Sequence, residues 1–218
     1  MKGDVVLTGE IHYQVAKQLA PSLLNEIRNA NRKFIISVAG ESGSGKSETT
    51  EAIFEVLHNA GIVTLILQQD DYFIFPPKAN DAKRRRDSSW VGPHEVKIDL
   101  LNSHLTKFRK GAETITKPLV DHTLNVITTE KIDIFDKKVA IVEGTYTSLL
   151  DNIDYRIFIA RTYIETRTHR ENRRRNAFEL DRFTEQVLKI EHKIISSHSV
   201  KADVTINSDY SVTVNKKV

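Results

Sequence analysis

The chain has 218 residues, 39% apolar and 28% charged, the balance of an ordinary soluble protein of one domain with at most an appendage. Its 32 Lys and Arg against 29 Asp and Glu leave a net charge of only +3, without the long basic stripe of a nucleic-acid-coating protein. It contains no cysteine, which excludes disulfides, thiolate catalysis and zinc–thiolate sites.

The opening, Met1-Lys2-Gly3-Asp4, lacks the apolar region of a secretory signal. No later run approaches the roughly 20 apolar residues of a membrane helix, so a cytoplasmic location without membrane contact is expected. Ile11, Val15, Leu19, Leu23 and Ile27 recur every fourth residue, one stripe of an amphipathic helix that Pro21 should kink or restart. Residues 1–32 thus read as a helical extension on the flank of a domain spanning 33–208. A buried strand is expected over 33–39 and a helix after it, with Ala52, Ile53, Val56 and Leu57 on its apolar face and Gly61 as its stop. Residues 62–67 are continuously apolar and read as a strand buried on both faces. Residues 69–94 are polar and basic and read as a long loop. A helix over 95–110 and a hairpin excursion within 112–134 follow. Residues 139–142 and 156–160 read as buried strands, 163–176 and 180–197 as helices, and 204–207 as a last strand. The stretch from Ser208 reads as a polar, peripheral tail over 209–218. Strands alternating with helices predict a three-layer α/β fold with a mostly parallel sheet, whose ligands bind at the carboxyl ends of the strands.

The segment after the first strand, Gly40-Glu41-Ser42-Gly43-Ser44-Gly45-Lys46-Ser47, fits G-x-x-x-x-G-K-[ST] at every fixed position, in the strand–loop–helix context that a P-loop requires. Its glycines allow successive N–H groups to face one concavity, and the following helix adds its positive end. Gly40, Ser42, Gly43, Ser44, Gly45, Lys46, Ser47 and Glu48 are the expected nucleotide-binding set. Lys46 suits the β- and γ-phosphates of ATP, and Ser47 suits Mg²⁺. After the second strand, Asp70 and Asp71 offer a proton acceptor and a metal ligand, or else an Asp turn. Glu143, after the third, offers a metal or substrate contact, or a solvated strand end. Arg167, Arg170 and Arg174 share one helix face, suited to closing on phosphates or to facing solvent. Lys83-Arg84-Arg85-Arg86 reads as a mobile, solvated stretch rather than an anion site. Trp90 either stacks on a substrate ring or anchors the loop, and His94 and His122 lie in candidate segments.

Together these segments resemble the uridine kinase/phosphoribulokinase family of P-loop kinases. The resemblance is carried by Gly40 to Ser47, Gln69-Asp70-Asp71-Tyr72-Phe73, Glu143-Gly144, the arginines from Arg167 to Arg175, and Ala202-Asp203-Val204. It implies a kinase fold with a lid helix, Asp70 as catalytic base with Lys46, Arg170 and Arg174, and Ser47, Asp70 and Glu143 about the metal, with Arg167 on the nucleotide. ATP and Mg²⁺ are the implied cofactors. The implied partner is a small-molecule alcohol, a nucleoside or a sugar; nucleic acid is not expected, and a homo-oligomer is compatible. The departures fall where uridine kinases hold the ribose and the pyrimidine: Trp90-Val91-Gly92-Pro93-His94-Glu95 replaces Asp-His-Pro-Asp, Leu119 follows Pro118 where a tyrosine is expected, and Asn125 stands near the place of a histidine. Glu171 interrupts the R-x-x-R-R lid pattern. The alternative function is a regulatory nucleotide switch, against which stand the missing Asn-Lys-x-Asp and Asp-x-x-Gly signals. A polynucleotide kinase has only the basic stretch at 83–86 in its favour.

Overall fold

The structure is a computed structural model that describes residues 6–167 and 181–215. In chain order the main elements are α1 (Glu10–Asn29), β1 (Phe34–Gly40), α2 (Lys46–Asn59), β2 (Thr64–Gln68), α3 (Pro77–Arg86), α4 (Ile98–Arg109), β3 (Thr114–Asp121), β4 (Val126–Asp133), β5 (Val139–Gly144), β6 (Tyr155–Ile159), α5 (Arg182–Ile195), β7 (Val204–Ile206) and β8 (Val212–Val214). Six strands form one sheet in the order β2-β5-β1-β6-β7-β8, parallel except for β8, while β3 and β4 form a separate antiparallel hairpin.

Strand pleating sends alternate residues of β1 to opposite faces. Ile36 and Val38 join Val15, Leu19, Leu23, Ile53 and Leu57 from α1 and α2. Ile35 joins Leu101, Leu105 and Phe108 of α4 on the other side. The result is the expected three-layer, mostly parallel sheet with a small β excursion. Because β5, β1 and β6 lie side by side, the turns after β2, β5 and β1 converge at one end.

Five expectations are corrected. Pro21 does not interrupt α1, which runs unbroken from Glu10 to Asn29. Pro21 is exposed, and its cost of ~3 kcal/mol is outweighed by burying Val15, Leu19, Leu23 and Ile27 at roughly 1.5–3 kcal/mol each. Ile11 leaves the stripe and is 37% exposed, because a four-residue step drifts about 40° per repeat on a helix of 3.6 residues per turn; His12 takes the buried side instead. The 69–94 region is not a loop but holds α3 and three 3-10 turns. Pro77 at its first position and good helix formers along it support α3, yet it buries only Asn80, so no apolar period announced it. β2 pairs with β5 alone and is an edge strand, half-buried apart from Leu67. The stretch after Ser208 is not peripheral: β8 extends the sheet, and the Tyr210 ring meets His12 edge-on.

The hairpin is fastened by a buried ion pair. Lys117 Nζ donates to Asp71 Oδ2 at 2.6 Å and lies 2.7 Å from Glu130, and the Val120 amide donates to Asp71 Oδ1 at 3.0 Å. Removing Lys117 leaves Asp71, 1% exposed, as an uncompensated buried charge. Lys117→Met is therefore expected to destabilise the fold by about 3–5 kcal/mol in urea unfolding, and a loss below about 1 kcal/mol would show the pair to be surface-like.

Candidate active site

The P-loop joins β1 to α2. Gly45, the N-cap of α2, adopts φ +98°, a left-handed conformation that only glycine takes without strain. Lys46 folds back over the loop, its Nζ donating to the Glu41 carbonyl at 2.9 Å. Ser44 Oγ is buried and has no hydrogen-bond partner among the described residues. Ser47 Oγ donates to Glu143 Oε1 at 3.2 Å, and Gln68 Nε2 approaches the same oxygen at 3.4 Å. Glu48, inside α2, is buried.

Glu143 ends β5 level with Gln68 of β2 and Val38 of β1. Burial, then repulsion from Asp70, pushes its carboxyl up to about 7; Lys46, Ser47 and Gln68 pull the other way. Gly144 permits this crowding, since a Cβ there would stand 2.3 Å from Gln69 Cβ. Gln69 in turn accepts the Tyr146 amide at 2.6 Å.

The two aspartates after β2 separate. Asp71 faces the hairpin, as described above, and is not part of the site, because a turn sends adjacent side chains apart. Asp70 faces a cavity of about 190 Å³ lined by Phe73, Phe75, Asn80, Arg84, Val120 and His122, among others. Crowding by protein raises the Asp70 carboxyl, while Lys46 and His122 lower it. Asp70 is exposed to the cavity, and water there screens the shift.

Arg84 corrects the expectation of a solvated 83–86 stretch. Its Nε and Nη2 fork grips Glu95, with Nη2 at 3.0 Å from Oε1, and Glu95 also accepts from Asn80 at 2.7 Å and from the Gly92 amide at 2.7 Å. Asn80 Oδ1 receives Trp90 Nε1 at 2.9 Å, and the indole sits against Phe75 and His94, with Lys83 Nζ 4.1 Å from its centroid. Trp90 is thus an anchor of the cavity wall. The Tyr146 hydroxyl is buried beside this network with no hydrogen-bond partner among the described residues.

α5 closes the P-loop from outside. Ser42 Oγ donates to Glu191 Oε2 at 2.9 Å, and Glu41 takes His192 Nδ1 and the Tyr163 amide, each at 2.6 Å. Arg167 makes an exposed ion pair with Glu185 at 3.0 Å. Arg170, Arg174 and the core of the expected lid lie outside the described residues. Asn80, Tyr146 and Glu191 were missed by sequence reasoning, since none belongs to a motif, and Glu95 was named only within the segment that replaces Asp-His-Pro-Asp, without its role under Arg84; only the fold brings the four together.

The phosphoribulokinase/uridine kinase family profile matches residues 35–166. The chain belongs to that family. A uridine kinase of Bacillus cereus is 34% identical over 133 residues, 59% of this chain and 61% of that one. The bifunctional alpha-galactosidase/sucrose kinase AgaSK of Mediterraneibacter gnavus is 28% identical over 196 residues, 84% of this chain and 21% of that protein. The chain therefore spans less than two thirds of either relative. The structure of a possible uridine kinase from Bacillus stearothermophilus shares the fold at a TM-score of 0.64 and 15% identity, covering 88% of this chain and 97% of that one. Among the described residues no helix is long and apolar enough to cross a membrane.

Among the described residues no group of three or more His, Asp or Glu side chains could hold a metal unaided. Ser47 with Glu143 does fit an ion that arrives with phosphates, since Mg²⁺ is commonly held by one or two carboxylates plus phosphate oxygens. Glu143 keeps its proton more tightly in the folded chain than in the unfolded one, where 4.5 is ordinary. The contribution of Glu143 to stability is therefore expected to fall as pH rises from about 4.5 to about 7 and to stay low above that. Glu143→Gln is expected to abolish about 2–3 kcal/mol of that loss. Urea unfolding at pH 5 and pH 8 without metal or nucleotide measures it; equal slopes for both proteins would remove the buried-charge account.

Proposed function

We propose that the chain is an ATP-dependent kinase that transfers the γ-phosphate to a hydroxyl of an uncharged nucleoside or sugar. One observation carries this reading: Asp70 forms one end of a cavity sized for a small molecule, within the field of Lys46 and of Glu143. A regulatory nucleotide switch has no use for such a chamber.

The P-loop amides and Lys46 bind and orient the phosphates. Ser47 and Glu143 hold Mg²⁺, which supplies charge neutralisation on the transferring group. Asp70 accepts the hydroxyl proton as general base. Phe73, Phe75 and Val120 give the cavity apolar walls, and Asn80 and His122 give it polar points. Arg84 is the cationic side chain lining it, and its fork is committed to Glu95. That leaves little positive charge for a carboxylate or phosphate on the acceptor, which favours neutral polyols. Support for a nucleoside comes from the uridine kinase relatives, and support for a sugar from the sucrose kinase relative. Arg167, Arg170 and Arg174 complete the site from the lid side in this reading.

The test is steady-state phosphoryl transfer from MgATP to uridine, cytidine, fructose, sucrose and glycerate. Turnover is expected with at least one neutral acceptor. Asp70→Asn should cost about 10²–10⁴ in kcat while nucleotide affinity stays within about tenfold. ATP hydrolysis of equal rate with and without every acceptor would defeat the reading.

A further inference from the structure

Glu191 of α5 bridges two sites that the chain draws from distant segments. One carboxylate oxygen accepts from Ser42, inside the P-loop, at 2.9 Å. The other lies 3.6 Å from Arg84 Nη2, in the wall of the acceptor cavity. The carboxylate is 4% exposed, so both contacts are shielded from solvent. Beyond Arg84 the connection continues through Glu95 and Asn80 to Trp90, the single tryptophan of the chain. Every link joins a buried or half-buried pair, and no link passes through Asp70 or Lys46.

A buried carboxylate shared in this way is not explained by stability. Replacing buried ion pairs by apolar side chains of equal volume is often neutral or stabilising. What the arrangement does supply is a fixed distance between loop and wall. Phosphate arriving on the loop draws on the same amide and hydroxyl donors that Ser42 belongs to, and Lys46 already acts on Glu191. Any shift of Ser42 changes how much of Glu191 is left for Arg84.

We propose that Glu191 is a positioning residue that ties the nucleotide loop to the acceptor cavity, so that nucleotide on the P-loop resets Arg84 and, through it, the Trp90 corner. This rests on the P-loop reading above and goes beyond it, because it assigns a coupling that neither site requires for its own chemistry. In energetic terms the two sites share one anion, and a ligand at either changes the other by the same factor.

The single tryptophan makes the test independent of the unidentified acceptor. Full-length protein is titrated with a non-hydrolysable ATP analogue and Mg²⁺, with binding measured by calorimetry and Trp90 emission recorded at saturation. The wild type should bind and change its emission. Glu191→Gln should still bind, with affinity altered by less than about tenfold, and should lose more than half of the emission change. Glu191→Met removes the carboxylate from both contacts while keeping an apolar side chain of similar volume, and should do likewise; it decides the matter if the Gln variant does not fold. A full-size response in either folded variant overturns the proposal. Binding by the wild type with no change in Trp90 also overturns it and leaves the kinase reading standing. Failure of the wild type to bind the analogue removes both.

Discussion

The site is organised by two carboxylates that repel each other. Asp70 follows the last residue of β2 by two positions, and Glu143 stands in β5 level with Gln68, so parallel pairing alone delivers both to one end of the sheet. Glu143 is 7% exposed, and its proton affinity is raised by burial and by Asp70 together. Lys46 acts on both carboxylates, and His122 and Arg84 add to it at Asp70. Glu143 stays the more strained of the two, because burial and Asp70 both oppose its ionisation, and a divalent cation beside it would favour the ionised form.

The rest of the fold serves to hold that corner open on one side. Asp71, adjacent in sequence to Asp70, is committed to Lys117 and the Val120 amide. That bond fixes the β3–β4 hairpin against the turn after β2, which brings Val120 and His122 to the cavity. One residue of the Asp-Asp pair therefore does chemistry in the proposed reading, and the other builds the wall facing it. The opposite wall comes from α3, whose Arg84 and Asn80 are fixed by Glu95. Neither wall depends on the nucleotide loop for its shape, except through α5.

The parts legible in the sequence were those with local signatures. The P-loop, the strand that precedes it, the hairpin and the strand-end Glu143 are each written in consecutive residues, and their type survived the folding context. What was not legible lay in elements without an apolar period. α3 is charged along most of its length, so its helix formers were read as a loop, and Arg84 was taken for one of four solvated charges. The edge position of β2 was invisible because an apolar run looks the same at the edge of a sheet and at its centre. The four-residue stripe of α1 exaggerated one face, since the repeat drifts and leaves Ile11 outside. Glu191, Glu95 and Tyr146 could not have been found from spacing: they lie far apart in sequence and meet only because α5 and the turn after β5 cover the same end of the sheet.

The same geometry explains why family membership does not by itself name the acceptor. The positions that depart from the uridine kinase pattern at 90–95 back the cavity wall by holding Asn80 and Arg84, and those at 119–125 lie at the hairpin end, which brings Val120 and His122 to the cavity. Glu95 is buried beneath Arg84, where it consumes the guanidinium that an anionic acceptor would otherwise use. Trp90 fills the corner that Asn80 fixes, so this wall is an aromatic surface rather than a row of carboxylates aimed at a ribose. In the proposed reading, phosphate handling sits on the backbone of one loop, where side chains can change without altering the amides, whereas acceptor recognition sits on side chains of α3 and the hairpin, where each substitution alters the cavity. That separation on different elements is why the motif of the nucleotide half is legible in the sequence while the acceptor half is not.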